Sequence, residues 1–506
     1  MDEALKRLSV WERIELIVDD GDSFNPIYDG LSPRNILDIP NYNEKLLNAQ
    51  DKTKLEDSIL TGIGLIGGNT CAIGIMEYEF LAGSLGQITG QKIADLIELA
   101  GRNGYPLIIF CCSGGARMQE GIYSLMQMAK IATVLNTYKS QIPLYISVLS
   151  DPTMGGVTAS IGMFADIILA EPHARIGFAG PNIVESLLKR PFSRECQTSE
   201  SQLKNGFIDA IVDRENLKNT LEKLLNSIKY QKLSLNTSLP IFSFSDTPKA
   251  IWEKIKGIRT PARLDNKDYM SKLFTDFIEL HGDRVSGDDN TICGGIAYFK
   301  GIPVTVISVI KGHDIYDLAK NKFGMISPSG YRKALRLMKL SPRRPIIIFI
   351  NTPGAYPDEE AEKQGQASAI ANCLLGMAGV SAPTLTFITG EGGSGGALAL
   401  STSNSVWMLE NAVYSVITPE GFASIIFKDE SRAEEAANLM KMSAQDLLKN
   451  EIIDGIIPEY GGATQEHLDD IVKDMSIVID NFIRSNYTSS GESIINQKLQ
   501  KFNKLY

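Results

Sequence analysis

Two pairs of glycine-rich segments are the parts of this sequence best suited to chemistry. The first pair is Ser113-Gly114-Gly115-Ala116-Arg117 with Gly155-Gly156, and the second is Thr352-Pro353-Gly354-Ala355 with Gly395-Gly396. The separation from Gly114 to Gly155 is 41 positions, as is that from Gly354 to Gly395. The second pair repeats the first at an offset of 240 positions. The repeat indicates two copies of one fold, each with a related site.

Each segment follows an apolar run, and this arrangement predicts a site for an anion. A strand that ends in glycine and enters a helix points backbone N–H groups at one spot, because glycine permits sharp turns and close ligand approach. The helix N-terminus adds a positive field. One well-placed donor lowers the barrier to forming an oxyanion by about 3–4 kcal/mol. We therefore expect two oxyanion sites, formed by Gly114, Gly115, Gly155 and Gly156 and by Gly354, Ala355, Gly395 and Gly396.

Three other interpretations of these segments are weaker. The glycines could merely form tight strand-to-helix turns, but their duplication in register argues against that. Gly390 to Gly395 matches G-x-G-x-x-G with Glu410 beyond it, yet a dinucleotide site expects this turn after the first strand of a domain. Ser113 and Ser394 lie in glycine turns, but no G-x-S-x-G elbow occurs and the chain has four histidines.

Glu120 is a separate candidate, because it follows the first glycine segment closely enough to act as a general base. The alternative is that it supports a helix N-terminus or forms an ion pair with Arg117, and we favour that interpretation.

The elements around these segments are also duplicated. Each half predicts a hairpin, Ser58–Ile66 with Thr70–Phe80 and Thr291–Phe299 with Ile302–Ile310, and then a helix near Gly90 or Gly330. Short apolar runs follow, which are typical of strands buried on both faces of a mainly parallel α/β sheet. These runs are Leu107–Phe110, Leu144–Leu149, Ala165–Ala170, Ile346–Ile350, Thr384–Ile388 and Ser405–Leu409.

Composition narrows the class of protein. A length of 506 residues suits two domains with linkers. No apolar stretch reaches the roughly 18–20 residues that span a bilayer, and the N-terminus lacks a signal-peptide core, so we expect a cytosolic protein. A net charge of −10 argues against broad nucleic-acid binding. The six cysteines include no C-x-x-C and the histidines lack ligand spacing, which predicts reduced thiols and no metal site.

Read in order, the motifs resemble the carboxyltransferase component of bacterial acetyl-CoA carboxylase. The first half resembles its beta subunit through Ser113–Gly121, Leu125–Lys130, Asp151–Ser160 and Ile176–Pro181. The second half resembles its alpha subunit through Leu273–Arg284, Gly330–Met338, Thr352–Pro357, Gly390–Ala399 and Tyr414–Gly421. The chain therefore looks like a fusion of the two subunits.

The resemblance implies two tandem crotonase-like (ClpP/crotonase) β-β-α superhelix domains. It also implies transfer of a carboxyl group from N-carboxybiotin, on a biotin carboxyl carrier protein, to acetyl-CoA, giving malonyl-CoA for fatty acid synthesis. In that family the first-half glycines hold the thioester enolate and the second-half glycines hold the biotin ureido oxygen. Biotin carboxylase is the implied further partner. We also expect substrate contacts from Ala116, Arg117, Gly180, Gly393 and Ser394.

The resemblance and the composition together give a domain plan. We expect a helical lead-in over 1–44, an acyl-CoA domain over 45–225, a linker over 226–262, a carboxybiotin domain over 263–480 and a polar tail over 481–506. Relatives work as dimers, in which the first half of one protomer meets the second half of the other, so we expect a homodimer or larger assembly. Lys189, Arg190 and Arg194 are basic candidates for coenzyme A.

The sequence also departs from the family pattern. The beta subunit carries a four-cysteine zinc ribbon, whereas residues 1–44 contain no cysteine. Lys311-Gly312-His313-Asp314 is less basic than the matching alpha-subunit segment, and Phe422 replaces a cysteine. These differences leave two alternatives open: a biotin-dependent transferase or decarboxylase for another acyl-CoA, and a non-catalytic paralogue. A plain crotonase-type hydratase or isomerase is disfavoured, because it needs only one such domain.

Overall fold

The computed structural model describes residues 7–28, 30–229, 242, 244, 249–340 and 343–504. The chain divides into two compact units, Met1–Lys229 and Tyr230–Tyr506. Within the described residues, each unit contains one eight-stranded sheet. Much of the expected linker over 226–262 lies outside the described residues.

The first unit is built from eight strands and eight helices within its described part. The strands are β1 (Asn25–Pro26), β2 (Ile59–Ile66), β3 (Asn69–Met76), β4 (Leu107–Ser113), β5 (Tyr145–Met154), β6 (Ile167–Ala170), β7 (Ile176–Gly177) and β8 (Ala210–Ile211). The helices are α1 (Val10–Ile17), α2 (Tyr42–Thr53), α3 (Gln87–Asn103), α4 (Ile122–Tyr138), α5 (Gly155–Val157), α6 (Pro181–Leu188), α7 (Ser199–Lys204) and α8 (Arg214–Asn226). A π-helical turn, Thr158–Gly162, continues α5.

The second unit repeats this plan with additional helices. Its strands are β9 (Thr275–Glu279), β10 (Ile292–Phe299), β11 (Ile302–Val309), β12 (Ile346–Thr352), β13 (Thr384–Gly393), β14 (Ser405–Leu409), β15 (Val413–Ser415) and β16 (Gly455–Ile457). Its helices are α9 (Ile251–Ile258), α10 (Asn266–Leu273), α11 (Ile315–Lys320), α12 (Pro328–Lys339), α13 (Glu359–Lys363), α14 (Gln366–Gly379), α15 (Ser394–Ser401), α16 (Pro419–Ile426), α17 (Ala433–Leu439), α18 (Ala444–Lys449), α19 (Leu468–Asn486) and α20 (Gly491–Phe502).

The two sheets have the same topology, which confirms the expected fold class. The strand orders are β1-β2-β3-β4-β5-β6-β8 and β9-β10-β11-β12-β13-β14-β16, with β7 on β5 and β15 on β13. The predicted hairpins, β2–β3 and β10–β11, are antiparallel, and the strands that follow them pair in parallel. The central strands β4 and β12 are buried along their whole length, as their continuous apolar sequences require.

The glycine segments lie at the carboxyl ends of these parallel strands. In the first unit β4 ends at Ser113 and β5 ends at Met154, and α5 begins at once with Gly155. In the second unit β12 ends at Thr352, and β13 runs through Gly393 into α15. The strands are longer than predicted, because they continue into the polar and glycine residues that follow each apolar run. One edge of each sheet therefore brings both of its glycine segments together.

The ends of the expected linker and tail are packed rather than extended. Ile255 and Ile258 of α9 are buried in a cluster with Met442 of the second unit. Ile494 of α20 is buried as well, and Lys498 Nζ donates to the Met377 and Val380 carbonyls at 2.7 and 3.0 Å. In the described part of the chain, no helix is long and apolar enough to cross a membrane.

Candidate functional site

The first unit brings its two glycine segments into direct contact. Gly115 has a φ of +119° and Gly155 a φ of +59°, backbone conformations that favour glycine. A side-chain carbon added to Gly155 would lie 3.2 Å from Gly115 Cα, and one added to Gly115 would lie 3.7 Å from Gly156 N. The two segments therefore pack backbone against backbone, and larger residues would push them apart.

The second unit forms the matching contact. A side-chain carbon on Gly393 would lie 2.0 Å from the Pro353 carbonyl oxygen, and one on Gly396 would lie 2.7 Å from Ala355 N. Gly354 has a φ of +145°, a positive value like that of Gly115. Gly393 is buried between the strands, where it shapes the turn.

The structural repeat differs by one residue from the repeat in the sequence. Ser113 pairs with Thr153 in the first sheet, and Thr352 pairs with Gly392 in the second, an offset of 239 positions for both strands. Gly155 consequently corresponds to Ser394, which has a φ of +58°, and not to Gly395. The sequence offset of 240 was wrong here because Pro353-Gly354 replaces Gly114-Gly115.

Most of the loop glycines use their N–H groups internally. Gly114 donates to the Ala82 carbonyl at 2.8 Å and Gly115 donates to Ser113 Oγ at 3.0 Å. Gly354 donates in the same way to Thr352 Oγ1 at 3.0 Å. These three residues therefore shape the turns, and their N–H groups are not available to a ligand, contrary to their predicted role as donors.

Ala116 and Ala355 are the loop residues that keep an N–H group for a ligand. Leu85 forms a parallel bridge to Ala116, using the neighbouring Gly115 carbonyl and Arg117 N–H, and Ile326 bridges Ala355 in the same way. Neither alanine N–H has a hydrogen-bond partner among the described residues. The sequence had placed Ala355 in the second oxyanion site and Ala116 among the substrate contacts, but it also gave the donor role to Gly114, Gly115 and Gly354.

Each free alanine N–H lies beside the start of a helix. Gly156 and Gly395 are the second residues of α5 and α15, and the first N–H groups of a helix have no partner within it. Ala116 and Gly156 in the first unit, and Ala355 with Gly395 in the second, therefore give each unit two N–H groups on adjacent segments. Ser394 begins α15 and is exposed.

Arg117 lies beneath the first turn and is fully buried. Its guanidinium binds Asp57, Ser58 Oγ at 3.0 Å, the Ser84 carbonyl at 2.8 Å and Glu120 at 3.3 Å. Burial lowers the pKa of Arg117, but Asp57 and Glu120 outweigh it and raise that pKa above its ordinary value. The Arg117 guanidinium is buried and is bound by groups of the protein itself. Arg117 therefore supports the loop and is not placed to contact a substrate.

Glu120 is occupied as well. Its carboxylate accepts from Tyr42 Oη at 2.9 Å, from the Gln87 N–H and from Arg117, and the side chain is 1% exposed. The structure therefore places Glu120 in the ion-pair network, away from a role as general base.

A cavity of about 430 Å³ opens beside the first turn. Its lining includes Met154, the residue before Gly155, and Gly180 at the start of α6. Arg175 and Arg194 supply positive charge, while Lys189 and Arg190 are exposed and do not line the cavity. Of the three basic residues that the sequence offered for binding coenzyme A, only Arg194 lines this cavity.

Asp151 fixes Arg175 at this cavity. The Arg175 Nε donates to Asp151 Oδ1 at 2.7 Å, and Arg7 Nε donates to the Asp151 carbonyl at 3.2 Å. Burial raises the pKa of Asp151, but Arg175 outweighs it and holds that pKa below its ordinary value.

The second unit has a charged cavity of about 330 Å³ at the same edge of its sheet. Arg259 and Lys311 both bind Glu391, at 2.9 and 2.7 Å, and all three side chains line the cavity with Pro353. Burial raises the pKa of Glu391, but Lys311 and Arg259 outweigh it and keep that pKa low. Sequence analysis did not identify Arg259 or Glu391 as site residues.

Among the described residues, no group of three or more histidine, cysteine, aspartate or glutamate side chains could hold a metal ion. The six cysteines are free thiols; five are buried and Cys196 is exposed.

Comparison with known proteins identifies relatives over nearly the whole chain. The profile of the family described as "Acetyl co-enzyme A carboxylase carboxyltransferase-like" matches residues 247–506. The "Acetyl-coenzyme A carboxylase carboxyl transferase subunits beta/alpha" of Clostridium tetani is 43% identical over 98% of this chain and 87% of its own length. The alpha subunit of Geobacillus kaustophilus is 43% identical over 62% of this chain and 91% of its own length.

Solved structures share the fold at low identity. A transcarboxylase 12S crystal structure with methylmalonyl-coenzyme A bound has a TM-score of 0.77 at 19% identity, covering 96% of this chain and 90% of that one. A single-chain, multi-domain long-chain acyl-CoA carboxylase has a TM-score of 0.71 at 18% identity, covering 93% of this chain and 45% of that one. These likenesses support the tandem two-sheet architecture.

Proposed function

The chain belongs to the family of acetyl-CoA carboxylase carboxyltransferases with fused beta and alpha subunits, and on this premise we propose that it transfers a carboxyl group from N-carboxybiotin to acetyl-CoA. Both substrates are separate molecules: the biotin is carried by another protein, and the acyl group arrives as a coenzyme A thioester. The observation that carries the proposal is the pair of alanine N–H groups, Ala116 and Ala355, each beside the start of a helix.

The chemistry needs two such places. Carboxybiotin releases carbon dioxide and leaves a ureido anion, which takes a proton from the thioester methyl group. The resulting enolate attacks the carbon of carbon dioxide and forms malonyl-CoA. Negative charge develops first on the ureido oxygen and then on the thioester oxygen, so two sites with N–H donors suit the reaction. The ureido anion acts as the base, and Glu120 is free to remain in its ion-pair network.

We assign the thioester oxygen to the first unit and the ureido oxygen to the second. The thioester oxygen lies between Ala116 N–H and Gly156 N–H, and the cavity lined by Met154, Arg175 and Arg194 receives the rest of the acyl-CoA. Arg194 offers a positive charge to a phosphate group. The ureido oxygen lies between Ala355 N–H and Gly395 N–H. This assignment makes 45–225 the acyl-CoA domain and 263–480 the carboxybiotin domain.

The enzyme works with a biotin carboxyl carrier protein and biotin carboxylase, as its family does. We propose a homodimer or larger assembly, supported by the exposed apolar side chains Met118, Ile122 and Leu125 around the start of α4. Sedimentation velocity at assay concentration tests this, and a fully active monomer would contradict it. We place the enzyme in the cytoplasm, in keeping with its six free cysteines.

The reverse reaction tests the proposed function directly. Purified protein is supplied with malonyl-CoA and biocytin, and formation of acetyl-CoA is followed, with methylmalonyl-CoA in parallel. We expect turnover with malonyl-CoA that depends on biocytin. Faster turnover with methylmalonyl-CoA would assign the enzyme to another acyl-CoA, whereas a folded protein without turnover on either substrate would favour a non-catalytic paralogue.

The two sites are separated by matched variants. Gly156→Val lies on the acyl-CoA side, where its side chain would meet Met128 Sδ at 3.1 Å. Gly396→Val lies on the carboxybiotin side, against Ala355 N. We expect both to lose turnover, the first with weaker malonyl-CoA binding and the second with malonyl-CoA binding retained.

A further inference from the structure

Tyr331 is a buried tyrosine whose hydroxyl lies beside the second turn. The side chain is 0% exposed, and its hydroxyl has no hydrogen-bond partner among the described residues. The hydroxyl oxygen lies 2.7 Å from the point where a side-chain carbon on Gly396 would sit, and Ala355 N lies 2.7 Å from the same point. A free O–H donor and a free N–H donor therefore lie next to the same point.

The first unit has no such hydroxyl. Leu81, Ala82 and Gly83 have the same left-handed backbone as Lys322, Phe323 and Gly324, an offset of 241 positions in the segments before α3 and α12. At this offset Tyr331 corresponds to Gly90, so the sequence-based pairing of Gly90 with Gly330 was wrong by one residue. At the turn itself, Val157 stands where the second unit has Gly396. The tyrosine hydroxyl is thus an addition peculiar to the second turn.

An unpartnered buried hydroxyl weakens the folded state, since it loses its bonds to water without replacing them. A phenylalanine would fill the same space without that loss. Beside the free Ala355 N–H this loss has an explanation, because a reacting oxygen held there would supply the missing partner. Burial also raises the pKa of Tyr331 above its ordinary value, so the hydroxyl keeps its proton.

We propose that the Tyr331 hydroxyl is a further donor of the second site, which turns its O–H toward the oxygen held by Ala355 and stabilises the negative charge that develops there. This inference rests on the proposed function, because that oxygen is the ureido oxygen of biotin. A dipole close to a forming charge is effective in a buried site, where water does not screen it. The proton stays on Tyr331 throughout, and no bond to the tyrosine forms or breaks.

The experiment compares Tyr331→Phe with Tyr269→Phe in the full-length protein. Tyr269 of α10 is also 0% exposed, and its hydroxyl also lacks a partner among the described residues, but it lies outside the turn. The measurements are kcat and KM for biocytin in the malonyl-CoA reaction, the Kd for malonyl-CoA by calorimetry, and Tm. We expect Tyr331→Phe to lower kcat/KM for biocytin about five- to tenfold, as loss of one hydrogen bond would, with an unchanged Kd.

The thermal midpoint separates this role from a structural one. We expect Tm of Tyr331→Phe to equal or exceed that of the wild type, and Tyr269→Phe to keep wild-type activity. Equal activity of Tyr331→Phe and the wild type would overturn the inference, as would a loss of Tm in that variant. A wild-type protein without biocytin-dependent turnover would instead overturn the proposed function, and this inference with it.

Discussion

At the scale of single residues, the availability of N–H groups decides which positions serve a ligand. Gly114, Gly115 and Gly354 turn the chain and donate to neighbouring oxygens, whereas Ala116 and Ala355 keep their N–H groups free. The sequence identified the right loops because glycine marks close backbone approach. It could not separate Ala355 from Gly114, Gly115 and Gly354, because donor assignment depends on which carbonyl or hydroxyl each N–H meets after folding.

At Gly396, the addition of a single methyl group should lower the activity while the protein still folds. In Gly396→Ala the new carbon would lie 2.7 Å from both Ala355 N and the Tyr331 hydroxyl, so it displaces the Ala355 N–H from the start of α15. Loss of one oxyanion donor costs about 10²–10³ in rate. We expect that loss in biocytin-dependent turnover of malonyl-CoA.

Gly257→Ala is the matched control for this change. No atom lies within 4 Å of a side-chain carbon at Gly257, which is in α9 and does not itself line the charged cavity of the second unit. We expect full activity and a small gain in stability, since alanine is the better helix former. Full activity of Gly396→Ala would contradict the assignment of Ala355 as a donor.

Arg117 should behave as a structural residue. Removing its charge in Arg117→Met leaves Asp57 and Glu120 buried without their partner, and breaking such a pair destabilises a protein by about 3–5 kcal/mol. Urea unfolding measures the loss. An Arg117→Met protein of wild-type stability with a raised KM for malonyl-CoA would instead return Arg117 to the substrate-contact role expected from the sequence.

At the scale of elements, the hairpins, the buried strands and the helical lead-in were predictable, and the helix of the tail was not. The strands of β2–β3 and β10–β11 follow from apolar runs separated by glycine turns, which is local information. Helix α20 is polar in sequence, and its attachment depends on Lys498 meeting the end of α14, more than a hundred residues earlier. A contact at that distance in the chain leaves no local pattern.

The attachment of α20 should depend on pH through Lys498. Burial lowers the pKa of Lys498 to about 8, whereas the unfolded chain keeps this lysine protonated up to its ordinary value of 10.5. Between these values the unfolded state binds more protons, so the free energy of unfolding rises with pH. Between pH 7.5 and 9.5, we expect the urea midpoint of the wild type to rise relative to that of Lys498→Met.

Lys504→Met provides the control for this titration, because Lys504 is exposed near the end of α20. That variant should follow the wild-type pH dependence. A wild-type profile in Lys498→Met as well would mean that another group is responsible for the rise.

At the scale of the whole molecule, each unit has what it needs to fold alone. The units contain 229 and 277 residues, and each has its own sheet with buried central strands. Chains of this size bury enough surface for independent stability. We expect separately expressed segments 1–229 and 230–506 each to unfold cooperatively on heating, as followed by circular dichroism.

A segment cut inside a unit is the comparison for this experiment. Residues 1–140 lack β5, which pairs with β4 at the centre of the first sheet, and we expect that fragment to remain unfolded. If 1–229 or 230–506 were also unfolded, the two units would depend on each other for stability.

The two halves differ in which position near the turn has a large side chain, and this difference limits how the halves can exchange residues. One half combines Val157 with Gly90, and the other combines Gly396 with Tyr331. A side chain added at Gly396 while Tyr331 is present would overlap the tyrosine. If Tyr331 were removed before that, the void would lower the free energy of unfolding by about 3–5 kcal/mol. The cost of changing either position therefore depends on the residue at the other, so the two positions are epistatic. A gene-conversion event between the halves that moved only one of the two residues would carry that cost.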